Sequence, residues 1–194
     1  MKNVKSNEEY EDENEAKNEN QPQHDIEQSE TEAGSTKEII IYEKHILLKE
    51  IATTLNSIIQ ESNKNKNHHK DNYLFSHQQV PKISIFDYLL RIQKYSDIED
   101  STIIISLIYI DRICKKKGIV LSKYNIHRLI FTAILIAIKY NEDIIYDNLY
   151  YSKIGGVTKK ELLVLENEFL KLIDFNLFIS NKIYQKYYDY LSLK

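Results

Sequence analysis

Apolar residues recur at helical spacing along most of the chain, but residues 1–37 hold almost no large apolar side chains. The first stripe follows Ser35 and Glu38, an S-x-x-E pair typical of a capping box, in which each side chain satisfies an orphan backbone donor. The stripe predicts an N-terminal helix over 38–60, followed by a polar loop over 61–80. Its apolar members are Ile40, Leu47, Ile51, Leu55 and Ile58.

Two further helices are predicted after this loop. Ser84 is the expected N-cap of the first, which runs to about Tyr95. The second starts at Asp100 or Ser101 and reads STIIISLIYIDRICKKKG. Three lysines in its last turn complement the helix dipole, and Gly118 provides a natural stop.

Three more helices complete the predicted core. The third, IHRLIFTAILIAIKY, is apolar nearly all round and is capped by Asn125, which is typical of the buried centre of a bundle. A short helix over about 147–153 precedes a fifth, which opens with a second capping box, Thr158 and Glu161. A Tyr-rich helix over 181–194 follows. The pattern predicts an all-α fold with five core helices and one flanking helix at each end.

Composition supports few, long helices. The chain has only four Gly and two Pro in 194 residues, and 42% of its residues are apolar, enough for a core. Residues 1–37 are dense in Glu, Asn, Gln and Lys. Such a stretch buries too little apolar surface to offset the entropy of ordering, so a disordered acidic tail is expected there.

Charge and cysteine usage exclude several classes. A net charge of −3 gives no electrostatic case for binding DNA or RNA. The single cysteine, Cys114, is expected to be a buried, inert thiol in a reducing compartment.

No apolar run approaches the roughly 18–20 residues that span a bilayer, and the acidic N-terminus predicts no signal peptide. The expected location is intracellular, in the nucleus or cytoplasm. The adjacent His68 and His69 suggest a solvated loop rather than a metal site, so no cofactor is expected.

Three motifs, in order and at the right spacing, resemble the cyclin box. They are YIDRI (Tyr109–Ile113), AIKYNED (Ala137–Asp143) and VLENEFLKLIDFNL (Val164–Leu177). NIHRLIFTA and NLYYSKIGGVTKKEL are similar to the phosphate-response type of yeast cyclin, also called P- or U-type. The resemblance covers 81–180 and implies one cyclin box.

The resemblance implies a kinase-binding pair at Lys139 and Glu166, which in cyclins meet backbone groups flanking the mobile kinase helix. An ammonium donates to carbonyls and a carboxylate accepts amide hydrogens, and both bonds are charge-assisted. The plainer alternative is that Lys139 complements a helix dipole and Glu166 is an ordinary surface residue.

Four positions match residues that supply apolar contacts to the kinase in relatives: Ile136, Tyr140, Leu170 and Phe175. For each, an ordinary core position is the alternative.

The resemblance also implies a structural salt bridge between Lys82 and Asp111, since a carboxylate in an apolar run needs a partner. The stretch 81–85 lacks the Met-Arg-Ala-Ile-Leu motif with which cell-cycle cyclins dock substrates. A second box is not expected either, which again resembles the phosphate-response branch.

The function that the resemblance implies is a non-catalytic subunit that binds and activates a cyclin-dependent protein kinase, in the cell cycle or a nutrient response. An enzyme is disfavoured, because the sequence has no Gly-rich phosphate loop, metal spacing or nucleophile elbow. The remaining alternative is a cyclin-fold adaptor that binds a protein partner without activating a kinase.

Overall fold

Seven helices account for most of the residues that the computed structural model describes, namely 45–64 and 74–192. All of these residues belong to one unit, which extends over Ile40–Lys194. The first helix, α1, covers 45–64. The others are α2 (Ile85–Ser96), α3 (Asp100–Lys117), α4 (Ile126–Asn141), α5 (Asn148–Gly155), α6 (Lys159–Leu172) and α7 (Asn181–Ser192). Within these ranges there is no β-strand, so the predicted all-α class is confirmed.

Side-chain caps start three of these helices. Ser84 accepts a hydrogen bond from the amide of Asp87 at 3.0 Å, as the pattern predicted. Thr158 and Glu161 form the predicted reciprocal capping box of α6. Asp147 caps α5 by accepting from the amide of Tyr150 at 2.7 Å. Each cap satisfies a backbone donor that has no partner within its own helix.

Asn125 is the N-cap residue of α4, as predicted, but its side chain makes no capping hydrogen bond. Its Oδ1 accepts from the amide of Ser122 at 2.9 Å, and its Nδ2 donates to the carbonyl of Val120 at 2.9 Å. The amide therefore braces the preceding loop, since an Asn side chain bonds nearby backbone groups as readily as a helix terminus.

The predicted buried centre is α4, which is confirmed. Every residue from Ile126 to Ile138 is buried except Arg128, and α3, α6, α2 and α5 all contact this helix. The largest fully buried side chains of the core include Tyr109, Phe131 and Phe169. An all-round apolar helix is stable only when neighbours cover every face, which this arrangement provides.

The first helix differs from its prediction at the C-terminal end. Residues 61–64, which were assigned to the polar loop, continue the helix. Ile58 is exposed, and Ile59 is buried in its place together with Ile51 and Leu55. Predictions for residues 1–44, for 65–73 with His68 and His69, and for the last two residues lie outside the described residues.

Gly155 lets α5 approach α4 closely. A Cβ atom at this position would lie 2.7 Å from Cδ1 of Phe131 and still closer to two other ring atoms. The Tyr88 hydroxyl of α2 donates to the Gly155 carbonyl at 2.9 Å. Three helices therefore meet at a point that has room only for hydrogen.

Candidate functional site

The structure brings Lys139 and Glu166 together in an ion pair. Lys139 lies in the last turn of α4 and Glu166 in the middle of α6, and Lys139 Nζ is 2.6 Å from Glu166 Oε1. Their side chains are 28% and 15% exposed. Asn148, at the start of α5, reaches Glu166 Oε2 at 3.5 Å. The predicted pair thus lies where three helices converge, half-buried but open to one side.

The ion pair leaves bonding capacity on both residues. An ammonium has three donors, of which Glu166 uses one, and a carboxylate has about four acceptor positions. The pair can therefore stay formed while Lys139 donates to a carbonyl of a partner and Glu166 accepts an amide hydrogen. Each residue also fixes the other's position, which reduces the entropy lost on binding.

The four predicted apolar contacts are placed differently. Tyr140 and Phe175 are 53% and 65% exposed, and Leu170 is half-buried against the core. Ile136 is only 3% exposed and faces inward in the free chain, because α4 is covered on nearly every side. Its contact with a kinase stays a prediction, with an ordinary core position as the alternative.

Sequence reasoning missed other exposed apolar residues near these elements. Ile144, in the link between α4 and α5, is 79% exposed, and Phe178, after α6, is 69% exposed. Leu163 and Val164 add two exposed apolar side chains on α6. An available signal was the run of apolar residues over 144–146, which interrupts a short link where polar residues are usual.

The segment after α6 has an unusual backbone. Asp174 and Phe175 have φ angles of 52° and 54°, in the left-handed region that favours glycine. Asp adopts this region more readily than other residues, because its side chain bonds nearby backbone groups, whereas a bulky Phe gains nothing comparable. A non-glycine residue held in this region lowers the stability of the fold by about 1–3 kcal/mol. The amide of Phe175 bonds the carbonyl of Leu170 at 2.9 Å, and this bond closes the end of α6.

One face of α3 holds this segment through its backbone. Arg112 donates from Nη1 to the carbonyl of Asn176 at 2.8 Å and from Nη2 to that of Phe178 at 2.9 Å. The buried Tyr109 hydroxyl donates to the carbonyl of Leu177 at 2.9 Å. Burial raises the pKa of Tyr109 to about 12, so the hydroxyl remains a donor at any physiological pH. Lys116 and Lys117 pair with the carboxylate of Asp174 from the same helix.

Asp111 is not bridged to Lys82, so the predicted brace is wrong. Asp111 Oδ2 instead lies 2.6 Å from Lys115 Nζ, one turn along α3, and 2.6 Å from the hydroxyl of Tyr187 on α7. Lys82 is exposed, and among the described residues it forms no ion pair with Asp111. A partner from the last helix satisfies the carboxylate, and the sequence spacing gave no sign of it.

Two further titratable groups lie on these helices: His127 is buried on α4, and Cys114 is half-buried on α3. His127 contacts the carbonyl of Ile83 through Nε2 at 3.0 Å, whereas its Nδ1 is buried without a hydrogen-bond partner among the described groups. Burial lowers the pKa of His127, because a charged ring there loses its hydration. Burial, and secondly the charge of Asp111, raises the pKa of Cys114 to about 12. This supports the interpretation of Cys114 as an inert thiol.

The described residues offer neither a metal-binding cluster nor a membrane-spanning helix. They contain no group of three or more His, Cys, Asp or Glu that could hold a metal ion. None of the described helices is long and apolar enough to cross a membrane.

The fold and the site define an all-α domain with a half-buried ion pair beside exposed aromatic residues. The sequence model of the family described as Cyclin matches residues 7–177, and the chain belongs to this family. Similar proteins include Cyclin-U4-2 of Arabidopsis thaliana, 34% identical over 149 residues, which are 73% of this chain and 69% of that protein. Cyclin-U3-1 of the same plant is 43% identical over 104 residues, 54% of this chain and 47% of its own length. PHO85 cyclin-7 of Saccharomyces cerevisiae is 38% identical over 129 residues, 60% of this chain and 45% of its own length.

These relatives confirm the predicted phosphate-response or U-type branch. The chain spans about half the length of the last two. Cyclins are regulatory subunits, and the family membership supports a regulatory role for this chain.

Proposed function

We propose that this chain binds and activates a cyclin-dependent protein kinase, and that it contributes no catalytic group of its own. The observation that carries the proposal is the Lys139–Glu166 pair, which joins the two helices that the resemblance assigns to kinase binding. A relative named as a cyclin of PHO85 supports the same class of partner. The single cysteine favours the nucleus or cytoplasm as the place of action.

The proposed binding surface consists of Lys139, Glu166, Tyr140, Leu170 and Phe175. Two charge-assisted anchors among exposed aromatic rings have the usual composition of a binding hot spot. Tyr140 directly follows Lys139 near the end of α4, and Phe175 follows the end of α6, and both rings are exposed. A partner helix lying across both elements would bury rings and anchors together.

Activation would follow from selective binding. A kinase active site needs its strand-three Lys paired with a Glu on the mobile helix. A subunit that binds only the arrangement with this pair formed shifts the population toward it, by no more than its difference in affinity for the two states. Fixed anchors such as Lys139 and Glu166 provide such selectivity, because they recognise backbone groups in one position only.

The proposal is tested by recovering the tagged full-length chain from its native cells. Bound proteins are identified by mass spectrometry, and the eluate is assayed for protein kinase activity. A stoichiometric, active kinase of the cyclin-dependent type is expected. If the chain recovers no kinase, kinase binding is wrong; if it recovers a kinase that stays silent, the chain is an adaptor rather than an activator.

A further inference from the structure

The YIDRI motif of α3 carries two residues that bond the backbone of one short segment, 174–178. Tyr109 and Arg112 lie one helical turn apart on the same face, and together they bond three successive carbonyls, those of Asn176, Leu177 and Phe178. The planar guanidinium suits two parallel bonds, which a lysine in its place would not form.

This segment would not keep its conformation by itself. Two consecutive non-glycine residues, Asp174 and Phe175, occupy the left-handed region, and such conformations persist only where the surroundings determine them. The surroundings are supplied by α3, through the three bonds of Tyr109 and Arg112 and the lysine pairs on Asp174.

The same conformation exposes two aromatic side chains. Phe175 and Phe178 are among the most exposed apolar residues of the described chain, although both flank residues that are tied down by their backbone. Besides burial, two residues at the end of α4 shift the pKa of Tyr109. A side-chain hydrogen bond with Asn141 lowers it, and the neighbouring Tyr140 raises it. The held segment is therefore adjacent to the end of α4 that carries Tyr140 and Lys139.

We propose that Tyr109 and Arg112 are positioning residues, which hold 174–178 in the conformation that presents Phe175 and Phe178 to the kinase. This inference rests on the proposed function for the identity of the partner. The hold itself is a property of the free chain. A segment fixed before binding loses less entropy on association, so loosening it lowers affinity without removing any contact.

The test compares Arg112→Lys and Tyr109→Phe with Arg91→Lys. The last is a matched control, because Arg91 also donates to a backbone carbonyl, that of Lys153, at 2.8 Å but away from this segment. Hydrogen exchange is measured at the amide of Asn176, which bonds the carbonyl of Ile173. We expect exchange about tenfold faster in the two test variants, near wild type in the control, and a similar midpoint of thermal unfolding in all three.

Affinity for the recovered kinase is then measured for the same variants and for Phe175→Ala. We expect about tenfold weaker binding for Arg112→Lys and Tyr109→Phe, and also for Phe175→Ala, whose exchange at Asn176 stays near wild type. Hydrogen exchange within twofold of wild type in both test variants would show that Tyr109 and Arg112 do not hold the segment. Faster exchange with unchanged affinity would show that the held conformation does not present Phe175 and Phe178 to the kinase. A failure of the proposed function looks different: the wild-type chain itself binds no kinase, and the exchange comparison still decides whether α3 holds the segment.

Discussion

Exchanging the two charges of the central ion pair separates its role in binding from its role in folding. In the double variant Lys139→Glu plus Glu166→Lys, the opposite charges still face each other across the 2.6 Å contact. The pair can therefore re-form within the chain. Its polarity toward a partner is reversed, so a carboxylate would face carbonyls and an ammonium would face amide hydrogens.

The expected loss of folding stability is small. A partly exposed ion pair contributes roughly 1 kcal/mol, and the exchange retains it. A negative charge at the C-terminus of α4 costs about 0.3–1 kcal/mol through the helix dipole. For a chain of this length, that cost lowers the midpoint of thermal unfolding by about 1–4 °C.

The expected loss of kinase affinity is larger. A hydrogen bond to a charged group contributes about 1.5–3 kcal/mol, and the exchange removes one at each position. Lys139 and Glu166 contact each other, so their contributions do not simply add. Taking a single bond as the lower bound gives at least about tenfold weaker binding, and two bonds give more than about a hundredfold.

The assay is titration of the recovered kinase with each purified variant by calorimetry, alongside thermal unfolding of the free chains. Lys160→Glu plus Glu168→Lys is a matched control, because it makes the same charge changes on α6, with Glu168 about 200° around the helix from Glu166. The control should bind as wild type does. Equal affinity of the Lys139/Glu166 double variant and the wild type would refute the assignment of this surface. A grossly unfolded double variant would refute the expectation that the ion pair re-forms with its charges exchanged.

Three further predictions concern the body of the domain. Gly155→Ala should lower the free energy of unfolding by about 1–3 kcal/mol in chemical denaturation, because the new methyl overlaps the buried ring of Phe131. Combining it with Phe131→Leu should recover part of this loss. Additive losses in the double variant would contradict the overlap. The pKa of His127 is lowered in the folded chain, so the unfolded chain binds the proton more readily, and the free energy of unfolding should fall as pH drops below the ordinary histidine value of 6.5. His127→Gln should make this decline shallower in denaturant titrations from pH 7.5 to 5, and an unchanged slope would show that other groups cause it. The thiol of Cys114 has a pKa of about 12. It should therefore react with iodoacetamide at pH 8 on the order of a thousandfold more slowly than a free thiol, as followed by mass spectrometry. A rate within tenfold of that of glutathione would contradict its burial.

Most of the fold could be predicted from capping residues and apolar periodicity, because both depend on residues close together in the sequence. Ser84 and Thr158 cap their helices as expected, and the all-round apolar α4 is buried as its pattern requires. The differences occurred where a residue had a choice. The side chain of Asn125 bonds the preceding loop rather than its helix, and Ile59 replaces Ile58 in the core because periodicity alone leaves about one residue of uncertainty around the helix.

The candidate site was less predictable, because it depends on contacts between distant parts of the chain. Family motifs gave Lys139 and Glu166, but not that they bond each other across 27 positions. They gave the wrong partner for Asp111, since the hydroxyl of Tyr187 lies 76 positions away and no spacing rule reaches that far. The sequence could not separate the two alternatives for Ile136, because an apolar residue matches a core position and a contact position equally well.

The most direct measurement is the activity of the recovered kinase, separated from this chain and then titrated with it. Phosphate transfer to a peptide substrate is followed at increasing concentrations of wild-type chain and of the Lys139/Glu166 exchange. A saturable rise in rate with the wild type, absent with the exchange at the same concentrations, is the predicted result. A rate that does not change while wild-type chain binds, or that rises equally with the exchange, would contradict activation through this surface.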